Sequence, residues 1–236
     1  MTVPTRPATC MHPAAQRAAD HEYMAPAAES QPVIGVDFDN TLIIYDDLLR
    51  KLAGDRNLLG PGPLQGKRQI RDALRAQPGG EIEWQKLQAD AYGPRIGEAH
   101  LAMGAARFLE LARAAGITVY TISHKTEWAS QDRTGTNLRR AALDWMEANG
   151  LFAAGAGLSP AKVFFGATRA EKIAHIRELH CTHFIDDLEE TFAETTFPAD
   201  VARILYAPHP PAIAPPGVMV AESWKQLCEY FFADNG

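Results

Sequence analysis

Short apolar runs alternate with longer amphipathic segments along most of this chain, from Val33 onward. The short runs predict strands at 33–38, 117–122, 162–166, 182–186, 201–206 and 218–220. The segments between them predict helices at 100–115, 137–148, 169–179 and 222–232. Because strands that alternate with helices usually pair in parallel, the pattern predicts an α/β fold, with a parallel sheet covered by helices on both faces.

One interval, 43–99, interrupts this alternation. It contains no convincing strand, but helix-like stretches occur at about 46–53, 64–76 and 81–92, separated by loops rich in Gly and Pro. Because the interval follows the first strand, it would lie over the carboxyl end of the sheet, where open α/β folds bind ligands. We therefore predict a small helical cap at 43–99, inserted into a core formed by 33–42 and 100–236.

The N-terminal segment, 1–32, has a different composition. It is rich in Ala and Pro and shows no sustained hydrophobic period. A segment of this kind buries too little apolar surface to offset the entropy lost on ordering, so we predict a disordered tail.

Composition narrows the possible functions. The 236 residues carry a formal net charge of −6, which opposes a general nucleic-acid-binding role. The three Cys residues are far apart and show no metal-binding spacing, which favours reduced thiols in the cytoplasm. There is neither a membrane-spanning apolar run nor a secretory signal pattern. We expect a cytoplasmic protein with a small-molecule or protein partner, and the oligomeric state stays open.

The first predicted strand ends in two acids separated by one residue, Asp37 and Asp39. Side chains alternate along a strand, so these carboxylates begin on the same side, and each raises the pKa of the other unless a cation intervenes. The pair predicts a metal site, a proton-transfer role, or both. The alternative is an ordinary acidic turn, because Asp and Asn are common turn residues.

Three further chemical groups lie at or near later strand ends. Ser123 follows the strand at 117–122, and Asp186 and Asp187 end the strand at 182–186. Lys172 falls in the first turn of a helix whose start has the spacing of a capping box. Since parallel strands point their carboxyl ends the same way, these groups would converge with Asp37 and Asp39. Clustered carboxylates suit Mg²⁺, and the hydroxyl and ammonium suit a phosphate.

In this order, these residues resemble the four motifs of the haloacid dehalogenase-like hydrolase superfamily over roughly 33–206. The first motif is carried by the run Asp37-Phe38-Asp39-Asn40-Thr41. The resemblance implies a Rossmann-like core with a helical cap, and a Mg²⁺-dependent phosphohydrolase. It assigns Asp37 as the nucleophile that forms an aspartyl-phosphate and Asp39 as general acid and then base. Ser123 and Lys172 become phosphate ligands, and the Mg²⁺ ligands are drawn from Asp37, Asp39, Asp186 and Asp187.

An Asp at position 39 also argues against carbon–halogen cleavage, since a halide leaving group needs no proton. Three alternatives remain: a phosphoryl transferase on the same site, a catalytically silent phosphate-binding or scaffold protein, and a receiver domain. The order of the acids disfavours a receiver, because its phospho-accepting Asp would stand on a middle strand. The expected substrate is a small phosphorylated metabolite, such as a sugar phosphate or a nucleotide, because a cap that closes excludes bulky partners.

A basic face in the predicted cap provides candidate substrate contacts. Lys67, Arg71 and Arg75 share one side of a helix with Arg68 beside it, and we predict that Arg71 and Arg75 bind a second anionic group of the substrate. His124, next to Ser123, is predicted to border the substrate. A solvated helix face and ordinary loop polarity are the alternative explanations.

Overall fold

The structure is a computed structural model that describes residues 1–2, 31–60 and 66–233. The predicted tail at 1–32 lies almost wholly outside the described residues. The part from Gln31 onward forms one compact unit built around a parallel sheet.

The main sheet has six parallel strands in the order β5-β4-β1-β6-β7-β8. They are β1 (Val33–Val36), β4 (Thr118–His124), β5 (Val163–Gly166), β6 (His183–Asp186), β7 (Ala202–Tyr206) and β8 (Val218–Ala221). A separate antiparallel ribbon pairs β2 (Ile43–Ile44) with β3 (His100–Leu101). The six predicted strands are therefore all present, with shifts of one or two residues at their ends.

The central strand β1 is buried on both faces. Its residue Val36 lies opposite Thr121 of β4 on one side and opposite Ile185 of β6 on the other. Gly35 is required by packing, because a Cβ there would lie 2.6 Å from the Phe184 ring. Burial on both faces explains why these strands are almost continuous apolar runs in the sequence.

Eight helices flank the sheet and the ribbon in the described part of the chain. They are α1 (Asp46–Asp55), α2 (Lys67–Arg75), α3 (Gly80–Tyr92), α4 (Ala105–Ala114), α5 (Leu138–Ala148), α6 (Arg169–Glu178), α7 (Glu189–Phe192) and α8 (Trp224–Phe232). One core contains residues of α1 to α5 and α8, and a second lies between the opposite face of the sheet and α6 with α7. Within the described residues, no helix has the length and apolar character needed to cross a membrane.

The helix predicted at 100–115 is shorter in the structure. His100 and Leu101 instead form β3, which pairs with β2, and α4 begins only after Gly104. Gly104 has a φ of 91°, in the left-handed region that glycine adopts without strain. The ribbon joins the two ends of the 43–99 interval, called the insertion below, which contains α1, α2 and α3.

The strand order creates a crevice in the middle of the sheet. After β1, the next two strands of the sheet along the chain, β4 and β5, lie on one side of β1. The last three strands, β6, β7 and β8, lie on the other side of β1. The reversal lies between β1 and β6, and such a switch point is where open α/β sheets bind ligands. The acids Asp37 and Asp186 stand at the ends of these two strands.

Candidate active site

The carboxyl ends of β1, β4 and β6 bring three predicted site residues together. Asp37 follows β1, Ser123 is the penultimate residue of β4, and Asp186 is the last residue of β6. The backbone N–H of Asp37 donates to the carbonyl of Ile185 at 2.8 Å, so strand pairing continues up to the acids. The three residues are buried, with exposed fractions of 4% for Asp37, 1% for Ser123 and 0% for Asp186.

Lys172 joins this group from the first turn of α6. The start of that helix is fixed by Thr168, whose hydroxyl accepts from the backbone N–H of Glu171 at 3.1 Å. The Lys172 ammonium lies 2.7 Å from Asp37 Oδ1 and 2.7 Å from Asp186 Oδ2. Burial opposes its charge, but the two carboxylates outweigh burial and raise the pKa of Lys172 above its ordinary value. The lysine is therefore charged and bridges two strand ends.

Asp187 completes a cluster of three carboxylates with Asp37 and Asp186. One oxygen of each residue lies within 4.8 Å of the others. Burial raises the pKa of Asp187 to about 8, with added repulsion from Asp186 and Asp37 that Lys67 partly offsets. Burial likewise raises the pKa of Asp37 to about 6, against the attraction of Lys172. The mutual repulsion of these carboxylates, which Lys172 and Lys67 only partly offset, favours a bound cation.

These pKa shifts predict the pH dependence of stability in the absence of metal. The folded protein keeps a proton on Asp187 up to about pH 8, whereas the unfolded chain releases it near the ordinary pKa of 3.8. Stability should therefore fall as pH rises through this window, with Asp37 acting in the same direction up to about pH 6. Asp187→Asn should flatten the decline. Urea denaturation in EDTA across the window measures it, and equal slopes for wild type and variant would contradict the prediction.

Ser123 has the position expected of a phosphate ligand. Its Oγ is buried and has no hydrogen-bond partner among the described residues. A buried hydroxyl without a partner costs free energy, so its persistence at a strand end is typical of a ligand-binding position.

The carboxylate of Asp39 lies apart from the cluster and has its own partners. Lys125 Nζ lies 2.9 Å from Asp39 Oδ2 and 3.0 Å from Oδ1, and the Tyr45 hydroxyl donates to Oδ1 at 2.8 Å. Asp39 was predicted as one of four metal ligands, but the close cluster within the described residues contains only Asp37, Asp186 and Asp187. The reason is that Lys125 and Tyr45 bind the carboxylate of Asp39, away from the other three acids.

A cavity of about 310 Å³ is lined by most of the site residues described above: Asp37, Asp39, Ser123, Lys125, Lys172 and Asp187. The insertion forms one side of it through Lys67 of α2 and Gln85, Gln88 and Tyr92 of α3, while Thr126 and Ser130 lie on the loop after β4. His124 also lines the cavity, with Nε2 3.1 Å from the carbonyl of Ala167. The cavity therefore combines the catalytic candidates with polar groups from the insertion.

Neither Arg71 nor Arg75 lines this cavity, contrary to their predicted role as substrate ligands. Arg71 Nε lies 2.8 Å from Asp72 Oδ1, and Arg75 pairs with Glu81. Lys67, Arg71 and Arg75 do lie on one helix, α2. Each turn of that helix is about 5.4 Å long, so Arg71 and Arg75 lie progressively farther from the cavity and only Lys67 lines it. Arg71 instead lines an adjoining cavity of about 500 Å³.

The sequence places Lys125 beside His124 as a possible neighbour of the substrate, but it does not predict that Lys125 and Tyr45 both bind Asp39. The position of Lys125 could have been predicted, because it stands two residues after Ser123. Side chains two apart on an extended strand share a side, so Lys125 should face the site as Ser123 does. Tyr45 offers no such signal, since its contact with Asp39 depends on how the insertion folds back.

Comparison with protein-family models and with curated proteins finds no significant match. Among solved structures, the chain is similar to the protein tyrosine kinase A (PtkA) of Mycobacterium tuberculosis, with a TM-score of 0.56 and 16% identity over 86% of this chain and 99% of that one. A HAD-superfamily hydrolase from Ehrlichia chaffeensis gives a TM-score of 0.49 and 14% identity, covering 89% of this chain and all of that one. The CbbY protein of Rhodobacter sphaeroides, solved in complex with phosphate, gives 0.47 and 16%, with coverages of 84% and 96%.

These likenesses concern the fold alone, because the identities lie far below 25%. The fold is a Rossmann-like parallel sheet flanked by helices, as predicted from the sequence.

Proposed function

We propose that this chain is a Mg²⁺-dependent phosphohydrolase that acts on a small phosphorylated metabolite through an aspartyl-phosphate. One observation carries the proposal: Asp37, Ser123, Lys172, Asp186 and Asp187 converge at the switch point of the sheet, while the carboxylate of Asp39 stands apart beside the same cavity. Such an arrangement separates a nucleophile from a proton carrier, which is what two-step phosphate hydrolysis requires.

The residues present fit a magnesium ion. Asp37, Asp186 and Asp187 offer only carboxylate oxygens, the ligands preferred by hard cations. Burial, with repulsion from neighbouring carboxylates, raises the pKa of Asp37 and of Asp187, and a bound cation would offset that repulsion. When bound, Mg²⁺ supplies positive charge that offsets the charge of the transferring phosphoryl group.

The chain's own residues account for both steps. In the form of the protein that starts the cycle, Asp39 is protonated. Asp37 attacks phosphorus, the bond to the leaving oxygen breaks, and Asp39 gives its proton to that oxygen and becomes a carboxylate. Water then attacks the phosphoenzyme, Asp39 takes a proton from the water, and the bond from Asp37 to phosphorus breaks, releasing inorganic phosphate. Ser123 donates to a phosphoryl oxygen, and the Lys172 ammonium orients Asp37 and balances charge.

The cavity supports a small substrate. Its volume of about 310 Å³ lies at the lower end of the range for small-molecule sites. The insertion forms one side of it, as expected of a helical cap, and contributes amide and ammonium groups suited to hydroxyls and anions. Sugar phosphates and nucleotides carry both kinds of group.

A panel of phosphorylated metabolites, assayed with Mg²⁺ and with EDTA, tests this proposal. We expect phosphate release from one class of small monoester, only when Mg²⁺ is present. Metal-independent turnover would contradict the mechanism. Transfer of the phosphoryl group to an added acceptor would favour a transferase, and tight binding of phosphate esters without turnover would favour a silent binding protein.

Lys67 should recognise a second anionic group on the substrate. Its ammonium is partly buried in the cavity, and although burial opposes its charge, Tyr92 and Asp187 raise its pKa above the ordinary value. Lys67→Met should raise KM by about 10-fold, the loss of one charged hydrogen bond, with little change in kcat. The matched control is Arg71→Ala with Arg75→Ala, which should leave KM unchanged because neither residue lines the cavity. The opposite ranking would contradict the assignment.

A further inference from the structure

The carboxylate of Asp39 is held by contacts with two side chains, Lys125 and Tyr45. Lys125 contacts both of its oxygens, at 2.9 and 3.0 Å, and Tyr45 donates to one of them at 2.8 Å. The side chain of Lys125 is 2% exposed and that of Asp39 is 14% exposed. The carboxylate therefore has one defined position beside the cavity.

The backbone of Lys125 is also fixed. Its N–H donates to the carbonyl of Gly166 at 2.8 Å, which extends the pairing of β4 with β5 by one residue. Its carbonyl accepts from Arg139 Nε at 2.9 Å. Both backbone polar groups of Lys125 are hydrogen-bonded, so the side chain extends from a fixed strand end.

The ammonium of Lys125 lies close to two aromatic rings. It lies 5.4 Å from the centroid of Phe38, which separates the two acids, and 4.9 Å from that of Tyr92, at the end of α3. Tyr45, at the start of the insertion, packs on Tyr92 with centroids 4.5 Å apart. The partners of Asp39 thus come from the strand end and from the start of the insertion, and Tyr92, from the other end of the insertion, contacts both of them.

Among the described residues, Asp39 is the only carboxylate within ion-pair distance of Lys125. A buried ammonium with a single carboxylate gives less net stability than its short distances suggest, because both groups lose their hydration. Packing alone would be served as well by an apolar side chain at this position. The small net stability of the Lys125–Asp39 ion pair therefore suggests that the pair has a function besides stabilising the fold.

We infer that Lys125 is a positioning residue: together with Tyr45 it holds the carboxylate of Asp39 at the leaving-group side of the cavity and away from the Asp37, Asp186 and Asp187 cluster. This inference rests on the proposed function. Without Lys125, Tyr45 alone holds the carboxylate of Asp39. The carboxylate can then turn toward the cluster or toward solvent and away from the leaving oxygen.

The role has a chemical signature. In the first step, the bond from phosphorus to the leaving oxygen breaks as Asp37 attacks, and the leaving oxygen takes its proton from Asp39. An alkyl phosphate releases a strongly basic alkoxide and needs that proton. A 2,4-dinitrophenyl phosphate releases a stable phenolate and does not, so misplacing Asp39 affects the two substrates differently.

The test measures kcat/KM, which covers steps up to cleavage of the ester bond, for an alkyl phosphate substrate from the panel and for 2,4-dinitrophenyl phosphate. Lys125→Met should lower kcat/KM by about 100-fold or more for the alkyl ester but by less than about 5-fold for the aryl ester, in line with the usual contribution of general acid catalysis. Lys125→Arg should restore most of the alkyl activity, because its guanidinium can also contact both carboxylate oxygens. Tyr45→Phe keeps all charges and should show a smaller loss with the same selectivity.

Lys225→Met, at a side chain that is 85% exposed, controls for the removal of a lysine and should match wild type on both substrates. Equal losses on the two esters in Lys125→Met and Tyr45→Phe, or no loss in either, would overturn the inference while leaving the proposed function standing. If wild type hydrolyses neither ester in Mg²⁺, the proposed function fails and the inference fails with it.

Discussion

Asp37→Asn should abolish turnover, lowering kcat/KM by at least about 10⁴-fold, as is usual when a nucleophile is removed from residues that act as a unit. An amide cannot form the acyl phosphate, and water alone attacks phosphate monoesters extremely slowly. Phosphate release from the best substrate of the metabolite panel, at saturating Mg²⁺, measures the effect.

The fold should survive this change. Lys172 keeps Asp186 as a partner at 2.7 Å, and the amide occupies nearly the same volume as the carboxylate. Asp144→Asn, at an exposed acid paired with Arg140, is the matched control and should retain full activity. Substantial turnover by a folded Asp37→Asn protein would rule out Asp37 as the nucleophile.

Lys172→Met should have the largest effect on stability, together with a large loss of activity. The ammonium bonds to two buried carboxylates, and removing one partner of a buried ion pair typically costs about 3–5 kcal/mol, because the remaining charge is left unpaired. Urea denaturation in EDTA measures the change in unfolding free energy. Added Mg²⁺ should recover part of the stability, because a cation at the cluster replaces the lost charge, but it should not recover activity.

The control for this variant is again Lys225→Met, which should change neither property. A Lys172→Met protein as stable as wild type without metal would show that the two ion pairs contribute little. A variant that regains full activity in Mg²⁺ would remove Lys172 from the catalytic group.

Much of the fold follows from local patterns in the sequence. Strands such as β1 and β6 are buried on both faces, so their residues form apolar runs with sharp ends, and Asp37 and Asp186 mark those ends. Their convergence could be predicted because parallel strands share one direction. Lys172 could be placed by the capping box at the start of α6, which the structure retains through Thr168.

Features that depend on contacts between distant segments could not be predicted in the same way. The ribbon of β2 and β3 pairs residues almost sixty positions apart, and each strand is too short to show a period. Similarly, Tyr45 bonds to Asp39 only because the insertion folds back over the strand end. The basic face of α2 was predicted correctly as a helical face, but its direction relative to the cavity was not, and only Lys67 reaches the site.

Trapping the phosphoenzyme is the sharpest test of Asp37 as the nucleophile. Wild-type protein mixed with its best substrate and Mg²⁺ is quenched in acid and treated with borohydride, which reduces an aspartyl-phosphate to homoserine, and the reduced residue is located by peptide mass spectrometry. We expect homoserine at position 37, and none in samples kept in EDTA. Homoserine at position 39, 186 or 187, or none at any position while turnover proceeds, would contradict it.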